Sequence, residues 1–119
     1  MAYTGVNIRQ TAGYVTDGAG YTYSLGETYP TTRAGQTFGW SVSSTANARD
    51  RFAAYGPIVA GIVFQTNTGG TTRDFTLELP SPGTYRIRLC AGDFTSAQNT
   101  KIVIKDTSTV LTTINAVLS

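Results

Sequence analysis

Residues 73–93 read RDFTLELPSPGTYRIRLCAGD, and this stretch decides the fold class. Phe75, Leu77 and Leu79 alternate with Thr76 and Glu78. Side chains on a strand leave on opposite faces in turn, so the pattern predicts one buried face and one wet face. Pro80, Ser81, Pro82 and Gly83 end the strand, because proline lacks the N–H that a ladder needs and glycine tolerates positive φ. Tyr85, Ile87, Leu89 and Ala91 then alternate with Arg86, Arg88 and Cys90, which predicts a second, antiparallel strand. Gly92 and Asp93 open a loop. Two strands are not stable alone in water, so the rest of the chain must cover the apolar face with another sheet.

The same alternation runs outward from this stretch. Tyr3, Val6 and Ile8 predict a first strand within residues 1–10. Residues 11–26 are rich in Gly, Tyr and Thr and read as loops with at most one short strand between them. Phe38, Trp40 and Val42 share one face of a strand over residues 37–42. Residues 43–51, SSTANARDR, hold caps and turn formers, and any helical turn from Ala46 onward is too short to propagate. Residues 58–65, IVAGIVFQ, form a continuous apolar run, expected as a central strand buried on both sides. Residues 66–72 predict a hairpin-type loop and residues 94–99 another loop. A strand over 101–105, a turn at 106–108 and a last strand over 110–118 complete the chain. Roughly six to eight strands with short connections predict an all-β fold, two packed antiparallel sheets in a β-sandwich.

With 119 residues, the chain is read as a single domain with no interdomain linker. The strand-like end predicts an edge completed by a neighbouring subunit or by the further residues of a longer chain. The composition is 40% hydrophobic and only 13% charged, about half the usual charged share. A low-charge surface rich in Thr, Tyr and Gly suits a neutral, hydroxyl-rich partner better than a polyanion. The net charge of +2 comes without a basic run, which argues against nucleic acid as a partner. No apolar run is long enough to cross a bilayer as a helix, and residues after Met1 lack the apolar core of a signal peptide. The expectation is synthesis in a cytoplasm and action there, or on a virion released by lysis.

Catalysis finds little support. The chain has no histidine, which removes the usual general base and the commonest metal ligand. Cys90 is the only cysteine and has no histidine to activate it, so it reads as a filler at a sheet or subunit contact. A glycosidase needs two carboxylates across a cleft, and the seven acidic residues are scattered. No cofactor and no metal are expected. Calcium is a common guest of loop-rich sandwiches, but no ligand-loop spacing supports it here.

Two segments resemble the malectin-like and related galactose-binding-like carbohydrate-binding modules. The first is Phe38-Gly39-Trp40 followed by Asn47-Ala48-Arg49-Asp50-Arg51. The second is residues 75–93, a strand, a Pro-Gly turn, Tyr85 to Leu89 and then Ala91-Gly92-Asp93. Asp17-Gly18 and the Tyr- and Gly-rich approach to Phe38 fit more loosely. The resemblance spans roughly residues 5–105. It implies a jelly-roll β-sandwich that binds sugar in a cleft of loops at one end, with Asp93 and Phe94 in one such loop.

Sugar binding needs aromatic faces for ring C–H groups and planar polar groups for hydroxyls. Asp93, Phe94, Asn47, Arg49, Asp50, Trp40 and Tyr23 are the candidate ligand-binding residues. Each has a structural alternative. Trp40 lies on the inward face of its strand, Arg49 and Asp50 can knot their own loop with Arg51, and Tyr23 can cover a sheet edge. Two functions follow as expectations. One is a non-catalytic carbohydrate-binding module. The other is a structural virion module, such as a capsid decoration, tail or fibre domain, that uses the sandwich for contacts with virion proteins or in a homo-oligomer.

Overall fold

The computed structural model describes residues 4–14, 16, 19–51, 61–63, 72–90 and 98–118. The chain is all-β. Among the described residues nine strands run in order: β1 (Gly5–Ile8), β2 (Tyr21–Ser24), β3 (Thr31–Arg33), β4 (Gln36–Trp40), β5 (Ala48–Asp50), β6 (Gly61–Val63), β7 (Phe75–Leu77), β8 (Gln98–Asp106) and β9 (Thr109–Leu118). A single 3-10 turn, Thr45–Asn47, is the one helical element among the described residues. None of these is a helix long and apolar enough to cross a membrane. The chain divides into two compact units, Met1–Arg88 and Leu89–Ser119.

In the first unit β3, β4 and β7 form an antiparallel sheet with β4 in the centre. Ala34 and Gly35 join β3 to β4, both with positive φ, at 51° and 76°. That pair of conformations is the two-residue hairpin turn whose twist matches the flanking strands. Phe38 faces Leu77 and Trp40 faces Phe75 in the β4–β7 register. Phe38 is completely buried, with its ring stacked on Phe75 at 6.2 Å. Trp40 meets Phe75 edge-on at 5.0 Å. Phe75 and Leu77 are half-buried while Thr76 between them is exposed, as the alternation predicts.

The partner of β7 differs from the hairpin expected within residues 73–93. Residues 84–90 belong to no strand, and Tyr85, Ile87 and Leu89 are 40%, 55% and 51% exposed. β7 instead pairs with β4, which brings two aromatic rings onto Phe75. Cys90 is exposed as well. Val42, expected inward with Phe38, lies past the end of β4 and is 50% exposed.

β1 and β2 pair in parallel, Gly5 beside Tyr21 through Ile8 beside Ser24, so this pair departs from the all-antiparallel expectation. Parallel neighbours need a crossover, and residues 9–20 supply it. The side chains buried here are polar: Asn7, Arg9, Thr22 and Ser24. β5 pairs antiparallel with β6, which is the described part of the apolar run over 58–65. Gly61 of β6 lies where a Cβ would collide with the Ile8 carbonyl oxygen, so glycine permits β6 to reach the end of β1. The loop expected at 66–72 lies outside the described residues save Thr72.

The second unit contains the β8–β9 hairpin, turned by Thr107 and Ser108 with a bulge at Ile104/Lys105. It carries both C-terminal strands predicted from the sequence and the turn between them. β8 begins at Gln98, inside the loop expected over 94–99. Ile102 faces Ile114 across the ladder, and the charged residues Lys101 and Lys105 alternate with the isoleucines at 102 and 104.

Candidate functional site

The 3-10 turn and β5 carry Asn47, Arg49 and Asp50. Arg49 Nη1 donates to the carbonyls of Ala46 (2.9 Å) and Ala48 (2.6 Å), closing its own turn. Asp50 Oδ1 accepts the backbone N–H groups of Gln10 (2.7 Å) and Thr11 (3.2 Å). The carboxylate therefore anchors the crossover that leaves β1, and the Tyr14 hydroxyl ties the same crossover to the Arg51 carbonyl. Asn47 N donates to the Ser44 carbonyl at 2.9 Å. Arg73 reaches the same loop from across the sheet, donating to Ser44 Oγ at 2.7 Å and to the Ser43 carbonyl at 3.1 Å.

Tyr23 sits beside two guanidinium groups, Arg33 at 4.2 Å from its ring centre and Arg9 at 5.1 Å. Cations over an aromatic ring are attracted by its quadrupole, and they take up ring surface that a sugar would need. Trp40 packs on Phe75, with its indole Nε1 buried and unbonded among the described residues. Asp93 and Phe94 lie outside the described residues. Asn47, Arg49 and Asp50 are thus neighbours along one turn and strand, whereas Tyr23 belongs to a separate cluster with the arginines.

That cluster has Glu27 at its centre. Glu27 Oε1 pairs with Arg33 Nη2 at 2.7 Å, and Oε2 accepts from Ser24 Oγ (2.9 Å) and Leu25 N (2.7 Å). Arg33 also donates to the Tyr23 carbonyl. Burial pushes the Glu27 carboxyl up, but the Arg33 guanidinium and the Ser24 and Leu25 donors together hold it below the ordinary glutamate value of 4.5. A depressed native value means that this group stabilises the fold above the unfolded-state value and loses that contribution as pH falls through the native one. Glu27→Gln should therefore cost about 1.5–3 kcal/mol at neutral pH. It should also flatten the acid limb of a melting-temperature profile below the ordinary carboxylate range. An unchanged acid limb in the variant would assign the sensitivity to another group.

A groove of about 270 Å³ opens beside the β3–β4 turn. Thr4, Gln36, Thr37 and Glu78 give it polar side chains, and Leu79 and Pro80 give it apolar surface. Gln36 Nε2 donates to the Gly20 carbonyl at 2.8 Å, which fixes the amide. Its Oε1 is buried and has no hydrogen-bond partner among the described residues. The Tyr29 hydroxyl donates to Glu78 Oε1 at 2.5 Å. That bond, with some desolvation and the Glu78 charge, holds the Tyr29 phenol above its ordinary 10.0. Thr37 Oγ1 lies 3.1 Å from Thr32 Oγ1 across the hairpin.

The sequence did not mark this groove. Glu78 is visible only as the wet position of an alternating strand, and Gln36 and Tyr29 lie 42 and 49 residues before it, with the Tyr29 separation the one spanned by the hydrogen bond. A Gly after the turn at Ala34 was the one local signal that a hairpin brought residues 31–38 together. Among the described residues, no three His, Cys, Asp or Glu side chains converge as a metal site. No protein-family model, curated protein or solved structure matches the chain.

Proposed function

We propose that this chain is a non-catalytic carbohydrate-binding module on a jelly-roll β-sandwich, with the groove at Glu78 as its sugar site. The observation that carries the reading is the groove's polar lining. A carboxylate held by Tyr29, Gln36 and two threonines line it beside apolar Leu79 and Pro80. Sugars present the complementary chemistry, rows of hydroxyl donors on a ring with apolar C–H faces. Glu78 is the one carboxylate among the described lining residues, whereas glycoside hydrolysis takes a pair. The resemblance of residues 38–51 and 75–93 to galactose-binding-like modules supports the same class, although the groove uses other residues than those the resemblance implies.

A second reading, a structural module of a virion or similar assembly, is favoured by the C-terminal hairpin. β8 and β9 pair only with each other among the described residues, and Val103, Val110, Leu111 and Ile114 are exposed. A two-stranded ribbon of this kind gains stability from a further strand or surface, which an assembly neighbour supplies.

A glycan array and sedimentation on one preparation separate the two. Sugar binding by a monomer is the expected result, and Tyr29→Phe should weaken it a few-fold by releasing the Glu78 carboxylate. A stable homo-oligomer that binds no sugar would replace the first reading with the second.

A further inference from the structure

We propose that the Glu78 groove selects its sugars by charge, accepting neutral and amino sugars and rejecting acidic ones. This rests on the carbohydrate-binding reading of the same groove and adds the ligand class. Among the described lining residues Glu78 is the only charged one. Arg33, just before the β3–β4 turn, is paired with Glu27 at 2.7 Å. The described lining of the groove therefore carries one negative charge.

Its hydrogen-bonding demand has the same sense. Glu78 lines the groove and is an acceptor. A sugar hydroxyl donates to it. An ammonium group donates and adds attraction to the carboxylate. A uronate carboxylate can only accept, so it makes no bond to Glu78 and sets two like charges together. Glu78 is exposed, so water and salt damp the charge effect. A discrimination of about tenfold at low salt is what a damped pair of unit charges supports.

The test measures binding of the methyl glycosides of glucosamine, glucose and glucuronic acid, and of the same three forms in the galactose series. Wild-type protein and Glu78→Gln are compared at low and high salt. The replacement is isosteric and exposed, and a melting curve checks that it folds. Wild type should bind the amino and neutral forms about tenfold more tightly than the acid form, with the gap closing as salt rises. Glu78→Gln should bring the three forms within about threefold of each other. Equal binding of acidic and neutral sugars by wild type, or an unchanged ranking in Glu78→Gln, would overturn the charge selection and leave sugar binding standing. Failure of every sugar to bind wild type would overturn both.

Discussion

Gly39→Ala should lower the free energy of unfolding by about 3–5 kcal/mol, a large share of what a small domain has. Gly39 lies in the middle of β4, fully buried, with φ at +150°. That backbone region is essentially closed to residues with a Cβ. The space is closed too. An added Cβ would lie 2.5 Å from Thr28 C and 2.6 Å from Tyr29 Cα, and both are backbone atoms that cannot swing aside. The close approach is held by hydrogen bonds on each side, Tyr29 N to the Trp40 carbonyl and Trp40 N to the Glu27 carbonyl, both 2.9 Å. Gly35→Ala is the control. Gly35 also has positive φ, but open space surrounds its Cβ position, so only the conformational cost of about 1–2 kcal/mol applies. Chemical denaturation of both variants measures the difference. Equal losses would mean that residues 28 and 29 do not pass over β4 as described.

Phe38→Ala should cost about 3–5 kcal/mol, the usual range for removing a buried aromatic ring. Phe38 and Ala48 are the fully buried hydrophobic residues among those described, and Phe38 is the larger of the two. The ring stacks on Phe75, and the Arg33 guanidinium lies 6.0 Å from its centre. Its loss would remove one of the two ring contacts between β4 and Phe75 and would loosen the Arg33 end of the Glu27 cluster. Phe38→Leu, which keeps much of the volume, should cost less than about 1.5 kcal/mol. Val42→Ala, at an exposed site just beyond the same strand, should stay within about 0.5 kcal/mol. Comparable losses at Phe38 and Val42 would show that the packing centre lies elsewhere.

Both effects arise on β4, and β4 also positions the proposed sugar site. Its first residue is Gln36, and Thr37 hydrogen-bonds the chain at Glu78 through Glu78 N to the Thr37 carbonyl at 2.9 Å. Variants that loosen β4 should therefore weaken sugar binding as they lower stability, whereas Glu78→Gln should separate the two.

The sequence by itself determined that the chain is all-β, and it located most of the strands. Alternation at Phe75–Leu77, the polar break around 43–47 and the β8–β9 hairpin from Lys101 onward depend on neighbours a few residues apart, so their pattern is written locally. It also identified Phe38 and Trp40 as inward positions. What it left open was which strands meet. The hydrogen bonds of a ladder are the same for every side chain, so alternation names a buried face without naming its neighbour. Only the tertiary structure set β7 beside β4, where two rings of a distant strand meet Phe75. Only the tertiary structure paired β1 with β2 in parallel and placed Asp50 on the N–H groups of Gln10 and Thr11. The groove followed the same logic. Glu78 meets Tyr29 through contacts that close long loops, and side-chain packing decides such contacts after the local pattern is satisfied.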